Sequence, residues 1–256
     1  MKDMRLVRND ISPDIVFPQD KYLTLVIENK EFMYKFIREL RGQIEKGDYE
    51  TFSFIIDEQL KTLSKYVNVI FDLTNIDLNT KPILNKVVKK LGVFLTDNTQ
   101  INNKSMIESG VVNIIEDFKI YYDINVDYSV EISEATIAKL SNLKVSSDDS
   151  QCLIEKLCDY VDIIVELMPV KLLIVVFLKE YLNEAQISQF YDYCMSKNCN
   201  LMLIESNSLT RCYTNEQLYI IDNDLCVISW FYVDCLIVYL LIIIIFILYK
   251  QHYEFR

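Results

Sequence analysis

The feature that most constrains the fold is a series of short, β-branched apolar runs separated by stretches of helical pattern. LTLVIE (23–28), FSFIID (52–57), VNVIFDL (67–73), LLIVVF (172–177), LMLIES (201–206) and LYIID (218–222) each read as a strand. Several are apolar on both faces, as expected of a parallel sheet covered by helices on both sides. Between them, residues 30–45 carry Phe32, Phe36, Ile37, Leu40 and Ile44 at helical spacing. Residues 184–197 carry Ile187, Phe190, Tyr191 and Cys194 in the same way, with Asn183 placed as the N-cap.

Residues 78–168 break this alternation. Ile83, Val87, Leu91 and Phe94 recur at helical spacing, as do Ile137 and Leu140, and then Leu153, Leu157, Tyr160, Val161 and Ile164. Pro82 and Pro169 stand near the two ends. The pattern predicts an α/β head in two parts, residues 1–77 and 169–228, with a helical subdomain, 78–168, inserted between them. Residues 229–256 form a hydrophobic tail.

In that tail, LCVISWFYVDCLIVYLLIIIIFILY (225–249) has a single charge, Asp234, and its last 15 residues have none. A spanning helix needs about 20 apolar residues, so a membrane anchor and a buried or adventitious C-terminal extension are both open readings. The N-terminus, MKDMRLVRND, lacks the apolar core of a signal sequence. The seven cysteines include no CxxC pair. Reduced, buried thiols in a cytoplasmic protein are expected.

The only histidine, His252, and the only tryptophan, Trp230, lie in the last 27 residues. Histidine-dependent nucleophilic, acid–base and metal chemistry is therefore excluded from the body of the chain. Asp57 and Asp72 end apolar strands, as a Walker-B magnesium ligand does. The first strand-to-helix turn, LTLVIENKEFMYKF, nevertheless has no glycine, whereas a phosphate loop needs G-x-x-x-x-G-K-[ST] so that backbone N–H groups can wrap the phosphates. The expected head is a P-loop-NTPase-like, mostly parallel sheet lacking a nucleotide site. A degenerate NTPase is the weaker reading, and no catalytic residues are assigned.

The net charge is −11, a poor starting point for nucleic-acid binding. Its distribution changes the picture. Residues 61–104 hold seven lysines (Lys61, Lys65, Lys81, Lys86, Lys89, Lys90 and Lys104) against three aspartates, a net of +4. Residues 105–170 hold 13 carboxylates against four lysines, a net of −9. On a helix, Lys86, Lys89 and Lys90 share one face, a ridge suited to sequence-independent phosphate contact. The acidic block includes EDFKIYYDINVDYSVEISE, with oxygens enough for Ca²⁺ but not the spacing or glycine of an EF-hand.

The chain resembles the Csn-two family, the ring-forming adaptation proteins of subtype II-A CRISPR systems. The likeness covers residues 21–228 and rests on an ordered series of segments. These are KYLTLVIENKEFMYKFIREL, KTLSKYVNVIFDLTNIDLNT, VDYSVEISEATIAKLSNLKVSS, KLLIVVFLKEYLNEAQISQFYDYCMSKNCNLMLIES and NEQLYIIDNDLCVI. The resemblance implies a non-catalytic homotetrameric ring, held in shape by calcium, that binds double-stranded DNA ends without sequence preference during spacer acquisition. It implies as partners the CRISPR integrase and the effector nuclease of the same system. It also implies calcium ligands in the acidic segment, with Glu116, Asp117, Asp123, Asp127 and Glu131 as candidates. DNA contact is expected of Lys61, Lys65, Lys81, Lys86, Lys89 and Lys90. The tail departs from the family, and the alternative it raises is a tail-anchored membrane protein with a cytosolic protein-interaction domain.

Overall fold

The structure, a computed structural model, describes residues 3–48, 50–146, 151–206 and 213–230. In chain order the elements are β1 (Met4–Arg8), β2 (Ile15–Val16), β3 (Tyr22–Ile27), α1 (Lys30–Glu45), β4 (Phe52–Ile56), β5 (Gln59–Lys61), α2 (Leu63–Tyr66) and β6 (Val67–Ile70). There follow α3 (Lys81–Phe94), α4 (Asn98–Tyr122), α5 (Glu134–Leu140), α6 (Leu153–Leu167), β7 (Leu172–Val176), α7 (Glu184–Ser196), β8 (Asn200–Glu205), β9 (Glu216–Ile221) and β10 (Val227–Trp230). The chain divides into two compact units, residues 1–76 with 152–256, and residues 77–151.

The first unit is built on a six-stranded sheet of order β10-β9-β3-β8-β7-β6. Its pairs are parallel except β9–β10. The strands bury both faces. Leu172, Ile174 and Val176 of β7 and Met202 and Ile204 of β8 point into one core cluster, which is shared with Phe36 and Leu40 of α1. Leu173, Val175, Leu201 and Leu203 point into a second cluster with Leu157, Val161 and Ile164 of α6 and Ile187 and Phe190 of α7. The continuous apolar runs therefore have the physical origin expected of them.

A second sheet, order β2-β1-β4-β5, is antiparallel throughout. FSFIID was expected among the strands of a mostly parallel sheet, yet β4 belongs here. Its alternation is genuine: Phe52, Phe54 and Ile56 are buried while Ser53 and Ile55 are half-buried. β1 supplies the facing row, with Met4 opposite Ile56, Leu6 opposite Phe54 and Arg8 opposite Phe52. Asp57 and Glu58, with φ of 50° and 60°, make the tight β4–β5 hairpin turn.

The expected helical subdomain ran to residue 168, whereas α6 falls in the first unit. The apolar stripe of α6 covers the sheet, and that burial is why the division comes at 151/152. The second unit has a thin core of its own. Among its described residues only Leu78, Ile83 and Ile132 are buried apolar side chains. α3 lies against α5, with Leu84 and Val88 facing Ala135 and Ala138 across a shallow cleft. Phe94, expected on the buried stripe of α3, is 56% exposed. No described helix is long and apolar enough to cross a membrane. The expected hydrophobic C-terminal helix lies, from residue 231 onward, outside the described residues.

Candidate nucleic-acid interface

Lysine placement begins with the start of α3. Thr80 precedes the helix in extended conformation and Pro82 occupies its first turn, where a missing N–H costs nothing. With Ile83 turned inward, Lys81, Lys86, Lys89 and Lys90 are all exposed. The ridge read from spacing is therefore present as an exposed cationic edge of the second unit. Lys61 and Lys65 belong to the first unit. Lys61 is half-buried on β5, where it donates to Gln59 Oε1 at 2.7 Å. Lys65 sits on α2, its Nζ 5.6 Å from the centre of the Tyr66 ring. The six lysines thus fall into two sets on different units.

The acidic segment is partitioned among three local structures. Glu116 and Asp117 lie in the last turns of α4, Asp123 ends that helix with a left-handed φ of 53°, and Asp127 and Glu131 lie in the irregular stretch before α5. Glu116 is already committed: its Oε1 accepts from the Tyr128 hydroxyl at 2.5 Å and from Lys119 Nζ at 3.1 Å. These bonds, Tyr128's first, hold the Glu116 carboxyl below its ordinary pKa and push the Tyr128 phenol above its own. Glu108, one helical stretch earlier, accepts the Ile132 N–H at 3.1 Å. Two acids of α4 therefore fasten the returning chain to the helix. Among the described residues no group of three or more histidine, cysteine or carboxylate side chains could hold a metal ion. As placed, the five candidate carboxylates do not fit a calcium ion, which takes six to eight oxygens.

The strand ends that resemble magnesium ligands are also accounted for. Asp72 Oδ1 accepts from the Thr74 amide at 2.9 Å and from its hydroxyl at 2.6 Å, and these bonds keep its carboxyl below the usual range. β3 passes to α1 through Glu28 and Asn29 alone. Asn29 caps the helix by accepting the Phe32 N–H at 3.0 Å, so the amide that would meet a phosphate is taken.

Sequence reading by blocks of charge missed one cationic cluster. Arg38 and Arg41 on α1 and Lys46 just beyond it line an open cleft of about 390 Å³. Their i, i+3, i+8 spacing was the available signal, hidden because α1 also carries Glu31, Glu39 and Glu45.

A mostly parallel sheet covered by helices on both faces in the first unit, and a helical second unit, define an α/β protein. The family described as CRISPR-associated protein (Cas_Csn2) matches residues 46–225. The chain belongs to this family. Among solved structures, the crystal structure of Stu0660 of Streptococcus thermophilus shares the fold at a TM-score of 0.57 and 14% identity. That likeness covers 90% of this chain and 76% of that one. No curated protein matches.

Proposed function

We propose that the chain serves CRISPR adaptation as a non-catalytic, homotetrameric ring that binds the ends of double-stranded DNA without reading sequence. Membership of the family supports the setting, and the exposed ridge of Lys86, Lys89 and Lys90 on α3 is the observation that carries the DNA contact. Lysine meets phosphate as a point charge and does not discriminate bases. Self-association is supported by α4, which buries none of its residues and exposes Met106, Ile114, Ile120 and Tyr121 at 71–81%. Apolar surface on that scale marks an interaction site. The integrase and effector nuclease of the same system are the proposed partners. A calcium ion belongs to the proposal only in a form where Glu116 gives up Tyr128 and Lys119, and no step of the reading passes through it.

The test is binding of the full chain to matched linear and covalently closed circular duplexes. The expected result is a shift of the linear form alone, weakening as salt rises. Equal binding to both forms, with nicked and linear contaminants removed, would sink the end-loading ring.

A further inference from the structure

We propose that the cleft beside the C-terminal half of α1 is a second phosphate-binding site, taking backbone phosphodiesters of duplex DNA. This rests on the DNA-binding reading above and adds residues from the other unit of the chain. An aromatic ring lies beside each guanidinium in the cleft. Arg41 lies 4.3 Å from the centre of the Phe71 ring, and Arg38 lies 5.5 Å from that of Tyr34. An aromatic neighbour restrains a guanidinium while its N–H edges stay available for a two-pronged bond to a phosphate. The side chains are 50% and 52% exposed, so the edges are within reach of a ligand.

The competing acids are weak. Glu45 lies 3.8 Å from Arg41 Nε and Glu39 lies 4.0 Å from Arg38 Nη2, beyond good hydrogen-bond length. The exposed Arg41–Glu45 pair contributes little, Glu39 is bonded to Arg8 at 2.7 Å, and a phosphate offering two charge-assisted bonds competes with both contacts. Glu45 and Asp48 also line the cleft, and Asp72 lies within electrostatic reach of Arg41, so the three cations are matched by three acids. The helix end adds about half a negative charge, so the site rests on the two-pronged geometry of the guanidiniums and not on a surplus of charge. Gly47, at φ 71°, takes the left-handed step after Lys46 and turns the chain so that the Asp48 N–H reaches the Gly42 carbonyl at 3.3 Å.

The experiment titrates the full-length protein, the Arg38→Gln/Arg41→Gln variant and the Arg38→Lys/Arg41→Lys variant with a labelled linear duplex over a range of salt. Far-UV dichroism and urea unfolding confirm that each folds. The glutamine variant is expected to bind roughly tenfold or more weakly, with the slope of log K against log salt shallower by about 1.8, two contacts' worth. The lysine variant should keep the slope while losing part of the affinity. Unchanged affinity and slope in the glutamine variant, with wild-type binding intact, would overturn this site and leave the general reading standing. Weaker binding with an unchanged slope would also overturn it, because the arginines would then act through the fold. Absence of duplex binding by the wild type would remove both.

Discussion

Lys179 and Glu216 form an ion pair sealed from water, with side chains 1% and 0% exposed. Lys179 lies in the short 3-10 turn after β7, and Glu216 opens β9. The second oxygen of Glu216 accepts the Tyr213 N–H at 2.8 Å, and Lys179 Nζ stands 4.5 Å from the centre of the Tyr213 ring. Removing one member of such a pair leaves the other charge buried with its ion pair broken. Lys179→Met is expected to destabilise the chain by about 3–5 kcal/mol, and Lys179→Met/Glu216→Met to recover most of that loss. Urea unfolding of the three proteins measures both effects.

Glu205, at the end of β8, is 2% exposed, and burial pushes its carboxyl up to about 7 from 4.5. The Lys179 N–H, donating to Oε1 at 3.0 Å, opposes the shift, while Glu180 and Glu216 add to it. A raised folded-state pKa means that the native protein holds a proton the unfolded chain has released. Stability from this group is fully present below pH 4.5 and is lost as pH rises through about 7. The loss is on the order of 3 kcal/mol. Glu205→Gln should flatten the pH dependence of unfolding between pH 5 and 8; an unaltered profile would place the titration elsewhere.

Arg8 is caged. Its Nη2 donates to Glu39 at 2.7 Å, its Nε lies 3.0 Å from Asp10, and the Phe32, Phe36 and Phe52 ring centres stand 4.8–5.2 Å from its Cζ. The side chain ties β1 to α1. Arg8→Met strands the buried Glu39 and should cost about 3–5 kcal/mol. Arg8→Lys keeps the charge but cannot span both acids while lying flat on the rings, and should recover only part of that loss. Equal stability of the lysine variant and the wild type would show that charge alone matters here.

Arg8 also shows why part of the fold was hidden in the sequence. MRLVR alternates as a strand should, but its third inward position holds an arginine, so the run reads as polar. Its neutralising partner, Glu39, lies 31 residues away. Five strands of the six-stranded sheet were legible from their apolar runs, whereas the edge strand β10 was read as the start of the hydrophobic tail. α1 and α7 were legible from periodicity and from Asn183, which caps α7 as expected. The end of the helical insertion was not, because the stripe of α6 looks the same whether it covers a sheet or another helix. The lysine ridge needed only helical geometry and could be placed. The fate of Glu116 depended on Tyr128, 12 residues away across an irregular stretch whose path no periodicity announces.

That ridge makes the last prediction. Lys86, Lys89 and Lys90 are exposed on α3, and Ile83, the buried side chain of that helix, is not among them. Replacing all three with glutamate removes three cations and adds three anions without touching a buried side chain, so folding should survive. Binding to linear duplex should fall by roughly a hundredfold or more at moderate salt, because each lost phosphate contact takes about 0.9 from the salt slope and the new acids repel the backbone. Lys86→Gln/Lys89→Gln/Lys90→Gln should fall less while showing the same loss of slope, up to about 2.7 for three contacts. A glutamate variant that binds as the wild type does, at every salt concentration, would move the DNA contact off α3.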